Sequence, residues 1–321
     1  MTDFTSILIC TRNRSTSLRS TLRSVEAACA DRMTEVVVVD NGSTDETREV
    51  VLEAKKYMRS VRYVREELPG LGHARNRAVR ESAGKLILFT DDDVEVPRTW
   101  IADMTAPILS GQYDAVAGGI KLADELVPSW LEPGLRARLA STEPGYDQPL
   151  QFIGANFSFH RRVLDRVPFF DPELGPGALG GADDTLFGRQ LTVAGFKIAF
   201  RPDTLVTHHF DAARLSREAW LRDAKVRGES SAYLIHHWHH SVISWPRLKI
   251  LRKRLQLMLY RLCNRRGNGA AEAELAALQY IHMLRFLLKI EGLARNYERE
   301  GLVKLRGVLP DLRDIDDGAR T

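Results

Sequence analysis

Lys85-Leu86-Ile87-Leu88-Phe89-Thr90-Asp91-Asp92-Asp93 is a short apolar run that stops abruptly at three consecutive carboxylates. The run has the length and composition of a buried strand. Three adjacent like charges raise the free energy unless a cation compensates them, and Mg²⁺ and Mn²⁺ favour oxygen ligands of this kind. Taken alone, the triplet reads equally well as a solvated turn whose aspartates cap a helix starting near Thr99. The strand in front of it favours the first reading, because ligands of open parallel sheets bind beyond the carboxyl ends of the strands.

Outward from this stretch, the first 120 residues alternate between two periodicities. Segments 6–10, 35–39, 61–64, 85–89 and 115–117 read as strands, and 17–30, 45–59, 74–83 and 100–109 as helices. This βαβα order predicts a Rossmann-related α/β fold, a mainly parallel sheet flanked by helices. Residues 121–182 are rich in Pro and Gly and have little periodicity, a composition expected of substrate-binding loops. Helical patterning resumes at Asp183 and dominates from 216 to about 300. The expected organisation is an α/β domain over 1–215 and an α-helical C-terminal extension over 216–321.

The 321 residues carry 46 basic and 42 acidic side chains, a net charge of +4 that is too mild to imply a nucleic-acid partner. The distribution says more than the sum. Residues 230–271 contain no Asp or Glu but hold Arg247, Lys249, Arg252, Lys253, Arg254, Arg261, Arg265 and Arg266. Cys10, Cys29 and Cys263 are too few and too scattered for a disulfide framework or a zinc site, and suggest a reducing cytoplasm. With no run of about 18 apolar residues and no signal-peptide pattern at the N-terminus, the expected location is cytoplasmic, with peripheral attachment at the inner membrane face left open.

Three further segments carry polar groups at strand ends. The first strand runs into Thr11-Arg12-Asn13-Arg14, a hydroxyl and two guanidiniums whose forks suit phosphate oxygens. Helix capping by Ser15 or Ser17, with incidental arginines, is the competing explanation. The second strand ends in Asp40-Asn41-Gly42-Ser43-Thr44-Asp45. A turn and helix cap account for 41–45, but not for an Asp placed directly after four valines, where it can accept a hydrogen bond from a base or ribose. Gly70-Leu71-Gly72-His73-Ala74-Arg75-Asn76 allows close backbone approach and projects Arg75 from the first turn of a helix toward an anion.

In this order and at these separations, the segments 10–14, 39–45, 72–78 and 89–93 resemble family 2 glycosyltransferases of the GT-A fold, over roughly residues 4–210. The resemblance implies an inverting transferase that takes a sugar from a nucleotide-diphosphate donor, a UDP-sugar foremost, with Mn²⁺ or Mg²⁺ as cofactor. It also implies that Thr11 and Asp40 line the nucleoside pocket, that Arg12, Arg14, Asn41, Gly72 and Asp92 belong to the donor site, and that Arg75 approaches the nucleotide. Asp93 would contact the metal directly, and Asp91 would serve the ribose or join as a second ligand.

Inverting transfer needs a base on the acceptor side. Gly180-Gly181-Ala182-Asp183-Asp184-Thr185 offers two carboxylates at a helix start, where capping alone would explain one of them. The segment resembles the family's Glu-Asp motif with Asp183 in the Glu position, which implies Asp184 as general base. After an apolar alternating run come His208 and His209; the resemblance makes His208 a metal ligand and leaves His209 outside the site. Asn156, in Gly154-Ala155-Asn156-Phe157-Ser158-Phe159, is either a donor or acceptor contact or part of a strand with Phe157 and Phe159 facing the core and Asn156 and Ser158 facing out. Trp130 is either a sugar platform or a local core plug.

Residues 245–266 mix Leu, Ile and Met with cations and resemble an interfacial helix for an anionic membrane surface. Packing on the catalytic domain is the other reading. The apolar series Leu275, Leu278, Ile281, Leu284, Leu287, Leu288 in a helix expected over 274–300 points to core or homodimer contact. The expected partners are a nucleotide-diphosphate sugar and a carbohydrate, lipid-linked or small-molecule hydroxyl acceptor. A sugar nucleotidyltransferase is the enzymatic rival, although 10–17 contains no glycine for a triphosphate loop. A noncatalytic nucleotide-sugar-binding or membrane-surface protein is the rival of another class.

Overall fold

The structure, a computed structural model, describes residues 4–29, 33–58, 60–143, 152–263 and 271–307. Its centre is formed by β1 (Thr5–Thr11), β2 (Thr34–Asp40) and β4 (Leu86–Asp91), with β3 (Val61–Arg65) outside β2. β1, β2 and β4 each carry an unbroken apolar run because both sheet faces are covered there, whereas the edge strand β3 alternates, with Arg62 and Arg65 exposed. Ile7, Ile9, Val36, Val38, Leu86 and Leu88 face one layer, formed by α1 (Ser15–Cys29), α2 (Thr47–Ala54) and α4 (Trp100–Leu109). Leu8, Val37, Val39, Ile87 and Phe89 face the other, where α3 (Leu71–Glu81) and α6 (Asp183–Val193) pack.

The sheet has eight strands in the order β3-β2-β1-β4-β7-β6-β8-β5. The first four are mutually parallel. Beyond β4 the pattern is mixed. β7 (Phe157–His160) lies antiparallel between β4 and β6 (Ala115–Leu122), β6 runs parallel to β8 (Ile198–His208), and the two-residue β5 (Val94–Glu95) pairs antiparallel with the end of β8. β7 and the short α5 (Pro133–Arg138) fall in the stretch read as irregular. Four residues of Phe-Ser-Phe-His are too few to register a period against the surrounding Pro and Gly.

The C-terminal part is helical, as expected: α7 (Arg217–Tyr233), a π turn over Leu234–His239, α8 (Pro246–Cys263) and α9 (Glu272–Ile290). α9 stops at Ile290, ten residues before the expected end, and 291–307 returns as an irregular strap. Residues on both sides of position 216 share apolar clusters. Trp220 and Ala224 pack with Leu122, Leu135 and Phe210, and Trp238 and Tyr297 pack with Leu174 and Leu186. α7 and α9 meet closely at Gly228, where a Cβ would lie 2.4 Å from the Gln279 carbonyl oxygen. Leu275, Ile281, Leu284 and Leu287 are buried, so that series serves intramolecular packing.

One polar cluster ties the strap to the α/β part. Lys304 and Asp171 are both fully buried and pair at 2.5 Å. Asp171 also accepts hydrogen bonds from the hydroxyls of Tyr233 (2.7 Å) and Tyr297 (2.8 Å). Glu173 accepts from Lys304 (2.6 Å), Asn296 (2.7 Å) and Tyr233 (2.9 Å). Two carboxylates thus share one ammonium and several neutral donors, the satisfaction that buried charges require.

Candidate active site

Parallel registry assembles the site. Cys10 pairs with Asp91 and Thr11 with Asp40, so the ends of β2, β1 and β4 lie side by side. They open onto a cleft of about 900 Å³ whose walls include Thr11, Arg14, Asp93, Asp184 and His208. The loops after β1 and β2 are cross-braced. Asn13 takes a left-handed conformation (φ +54°), which asparagine tolerates, and its Oδ1 accepts the Thr44 N–H at 2.7 Å. Asp45 accepts the Ser15 N–H at 2.9 Å.

The acidic triplet divides by role. The side chain of Asp91 is partly open to the cleft, while Asp92 and Asp93 are buried. Arg14 Nη1 bridges the latter two, 3.1 Å from Asp92 Oδ1 and 2.5 Å from Asp93 Oδ2. Burial outweighs the pull of Arg14 and raises Asp92 to about 7. Burial acts the same way on Asp93, but His208 and Arg14 overcome it and hold the carboxyl below its ordinary value.

His208 reaches Asp93 through a strand pairing. β5 pairs with β8 so that Val94 faces His208, and the His209 N–H donates to the Asp93 carbonyl at 2.8 Å. His208 Nδ1 lies 2.9 Å from the Leu139 carbonyl, which makes Nδ1–H a donor, and Nε2 lies 3.4 Å from Asp93 Oδ2, where a metal can take the place of its proton. Asp93 Oδ1 is buried without a hydrogen-bond partner. An orphaned carboxylate oxygen beside an imidazole nitrogen that can exchange its proton for a metal fits a divalent cation. Among the described residues, no group of three or more His, Cys, Asp or Glu could hold a metal. Asp93 and His208 would therefore supply two ligands, with ligand oxygens completing the set. His209 contacts Glu95 and Glu125 instead.

Across the sheet end, the buried Arg75 is ion-paired with Asp183 and lies 4.0 Å from Asp91 Oδ1. Its guanidinium sits 5.4 to 5.9 Å from the ring centres of Phe89, Phe157 and Phe170, within range of cation–π attraction. Burial raises the Asp183 carboxyl to about 6, against the pull of Arg75. Asp184 faces the cleft from the first turn of α6, where its oxygens accept the N–H groups of Gly154 (2.7 Å) and Thr185 (2.6 Å). Gly154 leaves room for the Arg75 guanidinium, since a Cβ there would collide with Nη2 and force it to shift.

Three residues expected in the donor site stand elsewhere. Asn156 is fully buried, its amide donating to the carbonyls of Gly119 (2.8 Å) and Thr204 (2.9 Å) and accepting from Trp100 Nε1 (2.9 Å). It precedes β7, whose Phe157 and Phe159 do face the core, but neither Asn156 nor Ser158 faces out: both are fully buried under α4, Ser158 donating to the Met104 carbonyl and Asn156 cross-linking the sheet to that helix. Gly72 permits packing: a Cβ would lie 2.7 Å from Pro172 Cα. Asp40 is buried, with its carboxylate taken by the Ser43 N–H (2.7 Å) and the Tyr63 hydroxyl (2.6 Å), and it shapes the turn rather than lining the cleft. Asn41 lines the cleft and also clamps the 66–70 loop, accepting from Gly70 N–H and donating to the Leu68 carbonyl. Trp130 is 48% exposed and lies off the cleft.

The sequence reading missed the other wall. Asp223, Arg227 and Ser230 on α7 line the cleft, as do Arg138 and Arg214. Arg138 and Arg227 both hold Asp223, at 2.6 and 2.8 Å. The spacing of 223, 227 and 230 marks one helix face, which was the available signal.

The glycosyl transferase family 2 model matches residues 6–168, half of the chain, and the protein belongs to that family. Membership sets the nucleotidyltransferase reading aside. A glycosyltransferase named AglE from Haloferax volcanii is 23% identical over 64% of this chain and 66% of its own length. The glucosyl-3-phosphoglycerate synthase of Mycolicibacterium smegmatis is 27% identical over 51% of this chain and 58% of its own length. The chain thus spans under two thirds of these relatives. Among solved structures, a Pyrobaculum calidifontis mannosyltransferase in complex with GDP-Man and Mn²⁺ superposes with a TM-score of 0.51, 19% identity, and coverage of 98% of this chain and 79% of the other. Glucosyl-3-phosphoglycerate synthase of Mycobacterium tuberculosis, with Mn²⁺, UDP and glucosyl-3-phosphoglycerate, gives 0.50, 19%, 70% and 78%. The shared fold is GT-A.

Proposed function

We propose that the protein is an inverting glycosyltransferase that moves a sugar from a nucleotide diphosphate, a UDP-sugar first, to a hydroxyl acceptor. The observation that carries the reading is the presence, in one cleft, of the Asp93–His208 pair and the Asp184 carboxylate. Mn²⁺ in the two structural neighbours, one with UDP and one with GDP-Man, supports a nucleotide held with a divalent cation. In this chain Asp93 and His208 would hold Mn²⁺ or Mg²⁺, which when bound neutralises charge on a departing diphosphate.

The protein's own residues do the rest. Arg75, pinned by Asp183, keeps a positive charge behind Asp91. The acceptor hydroxyl oxygen attacks the anomeric carbon opposite the diphosphate, the carbon–oxygen bond to the diphosphate breaks, and the hydroxyl proton passes to Asp184. The N–H groups of Gly154 and Thr185 hold the Asp184 carboxylate in place at the cleft. The acceptor's hydroxyl is carried on a carbohydrate, a lipid or a small molecule that enters beside α7.

The test is Asp184→Asn assayed for transfer from UDP-sugars with Mn²⁺. Turnover should fall by roughly 10²- to 10⁴-fold, with UDP affinity and Tm held. Turnover within threefold of wild type would remove Asp184 as base. Wild-type protein that binds UDP but transfers to no acceptor would favour the noncatalytic reading.

A further inference from the structure

Helix α8 is amphipathic twice over. Its inner face is already used: Leu257 is buried against Ala277 and Ile281, with Ile250 and Leu278 packed around them. Its outer face carries a second apolar row, Leu248, Leu251, Leu255, Met258, Leu259 and Leu262, at spacings of three and four, every one more than half exposed. The row continues past the helix start into Trp245 (77% exposed) and Val242 (85% exposed). Trp245 sits in the left-handed region at φ +56°, a strained conformation for a bulky residue, with its indole turned into solvent. An apolar row this long on one exposed face marks an interaction surface.

Charge identifies the occupant. Arg247, Arg254 and Arg261 recur every seven residues along one border of the row, Arg252 stands on the other border, and Lys249 and Lys253 lie between it and the inner face. Arg261 pairs with Glu274; the other five have no carboxylate partner among the described residues, and none of residues 230–271 is acidic. Between α8 and α9 lies a groove of about 480 Å³ with Leu257, Leu278 and Ile281 in its floor and Arg254, Arg261 and Arg285 at its rim. Apolar below and cationic above is the order of an acyl chain under a phosphate headgroup. A second copy of the chain is a poorer match, since packing α8 on its own symmetry mate would set these unpaired cations against each other.

From these observations we infer that the outer face of α8 docks on an anionic lipid bilayer, with Trp245 and the leucine row entering the interface and the flanking cations meeting headgroup phosphates. No helix among the described residues is long and apolar enough to cross a membrane, so the attachment is peripheral. Residues 264–266, which extend the basic stretch, lie outside the described residues. The inference goes beyond the transfer reaction and does not depend on it.

The experiment is co-sedimentation of the full chain with vesicles of phosphatidylcholine alone or with about one third phosphatidylglycerol. The wild type should bind the anionic vesicles about tenfold more strongly, and less so at high salt. Replacing Leu248, Leu251 and Leu255 together by Gln should reduce binding about tenfold while leaving Tm and UDP binding unchanged, because these side chains are more than half exposed and lie outside the core clusters and the α8–α9 groove. Equal binding to neutral vesicles, or retention of binding by the triple variant, would overturn the inference. So would a wild-type dimer in sedimentation velocity that the triple variant dissociates, which would assign the face to a second copy. The assay uses no sugar donor, so its failure is separable from failure of the transferase reading.

Discussion

Lys304→Met is the substitution whose outcome the structure fixes most tightly. The ammonium is fully buried and bonds Asp171 and Glu173 at 2.5 and 2.6 Å. Met replaces the stem's volume but leaves Asp171, itself fully buried, with neutral donors alone, two tyrosine hydroxyls and the Glu173 N–H, to stabilise its charge. Removing one partner of a buried ion pair costs about 3 to 5 kcal/mol, mostly from the charge left behind. For a chain of this size that corresponds to a fall in Tm of about 4 to 8 °C. Equilibrium urea unfolding measures the free energy directly. Adding Asp171→Asn should recover part of the loss, because the stranded charge is then gone. A single-mutant loss under about 1 kcal/mol, or no recovery in the double mutant, would refute the account of the strap as an electrostatic latch.

Three further outcomes can be measured. With Mn²⁺ and UDP well above Kd, ligand binding should stabilise the wild type by about 2.7 kcal/mol at a hundredfold excess; Asp93→Asn or EDTA should abolish the metal-dependent part, and its persistence would remove Asp93 from the metal site. Gly154→Ala should drive the Arg75 guanidinium off Asp183 and cost about 1 to 3 kcal/mol, whereas a neutral result in urea unfolding would mean that the 152–154 segment yields. Burial depresses His237 from 6.5 to about 4, and its Nδ1 accepts the Asn296 N–H at 3.3 Å. Neutral His237 therefore favours the fold above pH 6.5, and that contribution, at most about 3 kcal/mol, is lost as pH falls toward 4. His237→Gln should flatten the Tm-versus-pH curve between these limits, and an unchanged slope would count against it.

The parallel half of the fold was legible because its strands are buried on both faces and read as unbroken apolar runs. The acidic triplet was legible for a related reason: charge directly after such a run has few structural explanations. The antiparallel half was not. β7 is four residues long, and its place between β4 and β6 is set by long-range registry. The misplaced donor residues share one cause. Asn156, Asp40 and Gly72 have the polarity or smallness that a ligand site needs, but a sheet crossbrace, a turn and a tight helix approach need the same properties. What separates the cases is the partner, and partners such as Arg75 and Asp183 lie 108 positions apart. The α7 wall was missed because its polar residues look like an ordinary solvated helix face until α5 closes over them.

On the proposed metal site, the Arg14 bridge between Asp92 and Asp93 would set the terms of cation binding. A bare divalent ion taking the unpartnered Asp93 Oδ1 would meet a carboxylate whose charge is already offset, through Oδ2, by a guanidinium tethered to the chain, and would sit against that positive charge. A diphosphate arriving with its ion would relieve this, since Arg14 can turn from carboxylate to phosphate oxygens. The expected consequence is an order of addition: weak affinity for the bare ion, and stronger affinity for the nucleotide chelate that enters as a unit.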